Sequence, residues 1–241
     1  MPFTPVLRSE VLKVLTLRSL YGTLLAVFAV TTAFSALAGA SDTSDPDFDP
    51  LFTSLSGVLP GQIAAVAFGA VVVSSEYQGN GIRLSLAAVP RRGRWFAAKL
   101  VVIAVPTLVV GLLSAFAALV AARAGLGGAA DGLSAGEQAR GVVGCGIYFA
   151  LMALLAAGLT ALFRSGVATL STLIPFILIV SFVIGDVAGG ATDFLPDKAG
   201  QAVLHQAYDG SVGPWTGLAV TGLWAAAALL AGAWRLHRRD A

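Results

Sequence analysis

Six stretches of this 241-residue chain are apolar for about 20 residues, the length a helix needs to cross the hydrocarbon of a bilayer. They fall near 20–40, 51–75, 100–122, 141–162, 167–187 and 215–233. Composition agrees with this pattern. Charged residues make up 12% of the chain and hydrophobic residues 57%, whereas a soluble domain is about 25% charged. No polar stretch is long enough to build a separate soluble domain. The sequence predicts an all-α integral membrane protein with six transmembrane helices, organised as a single transmembrane domain over 1–241.

An even number of crossings places both termini on one side, and the basic residues say which. Arg8, Lys13, Arg18, Arg83, Arg91, Arg92, Arg94, Lys99, Arg164, Arg235, Arg238 and Arg239 share one side, 12 of the 15 lysines and arginines. Only Arg123, Arg140 and Lys198 fall on the other. Asp42, Asp45, Asp47 and Asp49 crowd the first loop of that other side, SDTSDPDFDP. Basic loops stay in the cytoplasm, so the expectation is a multi-pass protein of a cell membrane with both termini cytoplasmic. Ala36-Leu37-Ala38 has the form of a signal-peptidase site. The apolar run is long for a signal peptide and follows a polar, helix-forming lead, so it is read as an uncleaved span.

Two segments outside the spans have structure of their own to predict. The lead over 4–19 opens with Thr4-Pro5, a cap followed by proline in the first turn. Leu7, Val11, Val14 and Leu15 follow on one helical face, with Arg8, Glu10 and Lys13 on others. That pattern fits a helix lying in the membrane interface, or more simply an extension of the first span. The external segment 188–214 is too polar to cross and too apolar for a plain linker. Phe194, Leu195, Ala202, Val203 and Leu204 predict a short helical piece packed on the spans.

Catalytic constellations do not emerge. No lysine follows a glycine anywhere, which excludes a phosphate-cradling P-loop in this chain. Neither a zinc-protease motif nor a nucleophile elbow occurs. Cys145, His205 and His237 are too scattered for a metal site. The expectation is a chain that is not an enzyme, with no cofactor, no metal and no nucleic-acid partner. Asp186 is the ionisable residue nearest a span and reads as an interfacial carboxylate. Pro60, Pro106 and Pro175 punctuate three spans. Each removes a backbone hydrogen bond and is a candidate hinge, or is simply tolerated, as proline often is in membrane helices. Gly141, Gly144, Gly146, Gly217 and Gly222 are candidates for close helix contacts.

The loop over 76–99, with its flank SSEYQGNGIRLSLAAVPRRGRWFAAK, concentrates charge in a chain that has little. Its arginines suit anionic lipid headgroups, at about 1 kcal/mol per charge. Ile82, Leu84, Leu86 and Val89 need apolar cover, and Pro90 stops any helix there. The stretch resembles the cytoplasmic loop of type-2 ABC export permeases, especially actinobacterial ones, in Ser75-Glu76-Tyr77, Gly81-Ile82-Arg83, Pro90-Arg91-Arg92 and Ala98-Lys99. Arg8-Ser9-Glu10…Lys13 is similar to the family's opening helix, and WRLHRRDA to its basic tail. Asn80-Gly81 stand where the family has Gly-Thr.

The resemblance implies a coupling helix in that loop, docked on a separate P-loop ATP-binding subunit that binds ATP and Mg. Glu76, Ile82, Arg83, Leu86 and Arg91 become the docking candidates. It further implies pairing with a second permease chain, identical or related, in a bacterial plasma membrane, and outward transport between spans one, two and five. Mostly aliphatic spans with scattered phenylalanines suit a hydrophobic or amphipathic cargo, and suit lipid equally. Two other readings stand beside this one: an ion-coupled secondary carrier, and an accessory or assembly protein with no ATPase partner.

Overall fold

The computed structural model describes residues 3–40, 48–81, 91–180, 189–208 and 210–238. Among these residues the chain is helical, with no strand. The helices are α1 (Phe3–Thr16), α2 (Arg18–Gly39), α3 (Pro50–Leu55), α4 (Val58–Ser74), α5 (Arg92–Leu126), α6 (Ala135–Phe163), α7 (Gly166–Pro175), α8 (Pro196–Gln201) and α9 (Pro214–Arg238). Among the described residues, five helical stretches are long and apolar enough to cross a membrane: α2, α3 with α4, α5, α6 and α9. The architecture is that of a multi-pass all-α membrane protein. The predicted span 167–187 is helical from Gly166 through α7 and a π turn over Phe176–Val180. Its remainder, including Asp186, lies outside the described residues, as do Asp42, Asp45 and Asp47.

Local chemistry explains the boundaries. Ser134 and Glu137 form a reciprocal capping box that starts α6. That helix ends at Arg164, which adopts a left-handed conformation with φ 58° and donates its N–H to the Thr160 carbonyl at 2.7 Å. The Asp49 carboxylate accepts the N–H groups of Leu51 and Phe52 at 3.0 and 2.9 Å, and Pro50 opens α3 behind it. A turn at Ser56 and Gly57 separates α3 from α4. Pro60 therefore sits in the first turn of α4, where its missing N–H costs nothing. Pro106 lies inside α5, which continues past it, and Pro175 stands where α7 passes into the π turn.

α6 is the hub. It packs against α9, α5 and α4 and is the most buried of the long helices, 67% over its most apolar stretch. Lipid offers no hydrophobic drive for helices to associate, so close approach and dispersion carry the packing. Gly158 shows how close. A Cβ there would stand 2.6 Å from the backbone at Ala228 and Leu229 of α9. Gly144 accommodates Val203, and Gly217 faces the Ala199 carbonyl across α8. Gly222 meets only the tip of Leu151, at 4.0 Å. Leu37, Phe116, Leu223 and Leu230 are more than half exposed on the outside of the bundle, the places lipid would cover.

α5 begins earlier than the sequence predicts. It takes in Arg92–Lys99, the last part of the predicted loop, in one 35-residue helix. The inner face of α1 is mixed in character. Val6, Glu10 and Val14 point into the bundle, while Val11 and Leu15 are exposed. A glutamate is drawn to the inner face because the base of α5 supplies its counter-charge.

Candidate functional site

The bundle has two ends of different chemistry. At the basic end, where α1, α2 and α5 begin and α4, α6 and α9 finish, four charged side chains close into a ring. Lys99 contacts Glu10 Oε2 at 2.5 Å and Glu76 Oε1 at 2.6 Å. Lys13 contacts Glu10 Oε1 at 2.9 Å and Glu76 Oε1 at 2.7 Å. Each lysine bridges both glutamates, so the ring sums to zero charge. Lys99 and Glu10 are 2% exposed and Glu76 5%. Buried charges persist only when paired, and here every member has two ion-pair partners, the Lys99 contact to Glu10 Oε2 being an ion pair without a hydrogen bond.

The ring joins three segments far apart in sequence: α1, the 3-10 turn Ser75–Asn80 that leaves α4, and the second turn of α5. Trp95 packs beside it, its ring 5.9 Å from the Lys99 ammonium. Burial pulls the Lys13 ammonium down, but hydrogen bonds and charge from Glu76 and Glu10 outweigh it, and its pKa stands above the ordinary lysine value. Two further ties close the same end. Arg92 donates to the Leu236 carbonyl at 2.7 Å, and Arg235 to the Leu162 carbonyl.

Of the docking residues expected from the sequence, Glu76 and Arg91 are described and bracket the loop. Arg91 is exposed at the start of α5. Glu76 is turned inward, with its carboxylate in the ring. Ile82, Arg83 and Leu86 lie outside the described residues.

The opposite end holds an open cavity of about 610 Å³ between α2, α4, the π turn and α8. Phe34, Phe52, Leu59, Ile63, Ile177 and Leu178 supply much of its wall. Its floor is polar. The buried Tyr148 hydroxyl donates to Gln62 Oε1, and Gln201 Nε2 reaches the same hydroxyl at 3.5 Å. Gly200 lies against the Tyr148 ring, which leaves no room for a side chain there. Asp197, 2% exposed, lines the cavity from α8. Thr221 of α9 holds the start of that short helix by donating to the Pro196 carbonyl at 2.7 Å.

The rim is clasped. His205 stacks on Phe52 with ring centroids 4.2 Å apart, and its Nδ1 lies 3.3 Å from Asp49 Oδ2. The Gln206 N–H donates to the same oxygen at 2.9 Å. Arg140 donates to the His205 carbonyl at 2.7 Å. Burial alone would raise the Asp49 carboxyl, but the hydrogen bonds from His205, Phe52 and Gln206 hold it below the usual value. Lys198, also on the rim, stands near Asp193. That carboxyl is held low first by the Ser211 N–H and hydroxyl, and further by the lysine. Among the described residues, no three His, Cys, Asp or Glu side chains gather as a metal site needs.

Neither the partners of the ring nor the cavity floor follows from sequence pattern. Glu10 and Lys13 were legible as parts of an opening helix, and Lys99 as the end of a loop, without their pairing. The only local signal for Asp197 is Pro196, which marks a helix start, followed by the apolar Ala199, Ala202 and Val203. No protein-family model matches the chain, and no curated protein matches it.

Proposed function

We propose that this chain is the membrane-spanning permease subunit of an ATP-driven type-2 ABC exporter, working as a pair in a bacterial plasma membrane with both termini in the cytoplasm. It carries no catalysis. A separate P-loop subunit binds and hydrolyses ATP and docks on the loop between α4 and α5. The observation that carries the reading is the buried ring. Its members come from the segments on which the family resemblance rests: Glu10 and Lys13, Glu76, and Lys99.

The ring roots both ends of the loop and ties α1 to them. A push on the loop is then delivered to α4 and α5 together, instead of being lost in side-chain rotation. On this reading Glu76 acts as a positioning residue that holds the loop, while Arg91 and the residues at 82–90 meet the partner. The cargo pathway opens at the cavity end.

The test is purification of the tagged chain from its native membrane in mild detergent. The expected result is a P-loop ATPase that accompanies the wild-type chain and is lost from Arg83→Ala and Arg91→Ala, while the variant chains keep their gel-filtration profile. A chain that emerges without an ATPase in several detergents overturns the proposal. One observation favours the ion-coupled carrier instead, the buried Asp197 at the cavity, since a buried carboxylate at membrane depth is a common proton or ion relay. Uptake or efflux driven by an ion gradient in vesicles without ATP distinguishes that reading.

A further inference from the structure

The cavity at the acidic end has a chemistry that narrows its occupant. Its volume of about 610 Å³ falls in the range of sites for drug-sized molecules, about 300–1,000 Å³. Such sites combine an apolar wall with a few placed polar groups. Here the wall is aliphatic and aromatic, and the polar groups converge from one side: Gln62 on α4, with Asp197 and Gln201 on α8.

The formal charges on the cavity sort by depth. Lys198 belongs to the rim and stands near Asp193. His205, on the rim too, lies against Asp49. Asp197 is the buried one, at 2% exposure. It already has an interaction inside the chain, and an ionised carboxylate accepts several donors at once. Phe34, Phe52 and Tyr208 bring aromatic rings to the same space, and ring faces attract cations. An anion would meet the buried Asp197, whereas a cation is drawn to it.

We propose that this cavity binds an amphipathic organic cation, with its apolar body against Phe34, Phe52 and Ile63 and its positive centre toward Asp197. Gln62 and Gln201, held through Tyr148, accept or donate hydrogen bonds to polar substituents of the same ligand. The inference rests on the permease reading for its purpose, because it names the class of cargo. It does not rest on that reading for its test, because binding needs no ATPase.

The experiment is equilibrium binding of radiolabelled tetraphenylphosphonium to the purified full chain in detergent, with neutral triphenylphosphine oxide as competitor. The expected result is saturable binding that the neutral compound displaces at least tenfold less well than unlabelled tetraphenylphosphonium. Asp197→Asn should weaken binding at least tenfold, Asp197→Glu should retain more of it than Asn, and Phe52→Ala should weaken it severalfold. No saturable binding, equal displacement by the neutral compound, or unchanged affinity in a folded Asp197→Asn variant overturns the proposal. The competition uses the wild-type protein, so it decides the matter even where Asp197→Asn does not accumulate. An ATPase that copurifies with a chain that does not bind the cation sinks the cargo class alone. Cation binding by a chain without an ATPase sinks the coupling reading and leaves the cavity site standing.

Discussion

The two ends of this bundle spend their charged residues differently. At the basic end Glu10, Lys13, Glu76 and Lys99 are consumed by one another, and the product is a joint. At the acidic end the polar groups are distributed around a space, with Asp197, Gln62 and Gln201 on its floor and the Asp49–His205 clasp on its rim. A closed ring resists separation because each buried charge depends on two others. An open cavity tolerates single losses because water or a ligand replaces what is removed. The molecule is fixed at its basic end and has room to change at its acidic end.

Substitutions test that contrast directly. Lys99→Met removes one of the two lysines that each buried glutamate pairs with, and removing one partner of a buried ion pair costs about 3–5 kcal/mol. The expected outcome is a large fall in thermal midpoint in detergent, recovered in good part by adding Glu10→Gln. A midpoint unchanged by Lys99→Met would mean that the ring holds nothing. At the other end, Asp49→Ala removes a helix cap, worth about 0.5–2 kcal/mol, together with the Gln206 and His205 contacts. The loss should be smaller than that of Lys99→Met, and if it is larger the contrast between the ends is reversed.

Acid sharpens the same point. The Asp49 carboxyl is held below its ordinary value of 3.8, so its stabilisation is complete above that value and is lost as pH falls through the lowered one. Thermal midpoints of the wild type and Asp49→Ala should therefore converge below pH 4 or so. Lys13→Met should cost less than Lys99→Met, because that side chain is 38% exposed and its pairs are partly screened, although its partners Glu10 and Glu76 are buried. The raised Lys13 pKa gives the opposite pH sense. Its contribution is complete below 10.5 and disappears as pH rises through the raised value, which a midpoint titration of wild type against Lys13→Met would show.

Five of the six predicted spans were legible because bilayer thickness imposes a length that apolar runs either reach or do not. Loop ends were less so. Lys99 closed a basic stretch on paper, yet it lies on a buried turn of α5. Helical periodicity says which residues share a face, but not what another helix will bring to that face. Glu10 was assigned away from the apolar face of α1 for that reason, since its partner lies 89 positions along the chain. The cavity was illegible for a related reason. Gln62, Tyr148 and Asp197 are unremarkable singly, and only the packing of α8 onto α6 and α9 brings them together. Asp186, the carboxylate nearest a predicted span, reads as interfacial, whereas Asp197 reaches the interior from a segment between spans.

The length of α5 has a mechanical consequence. Its 35 residues at about 1.5 Å each make a rod of roughly 50 Å, well beyond the ~30 Å hydrocarbon thickness. One end is gripped by Lys99 and Arg92, and the other continues past Gly39 of α2. Such a rod acts as a seesaw. A tilt of about 5° around its midpoint displaces the two tips by roughly 2 Å in opposite senses. Pro106 lies close to that midpoint, and beside it the Thr107 hydroxyl returns to the Ile103 carbonyl at 2.6 Å. Whether the beam stays stiff at this fulcrum sets how much motion at one membrane face arrives at the other.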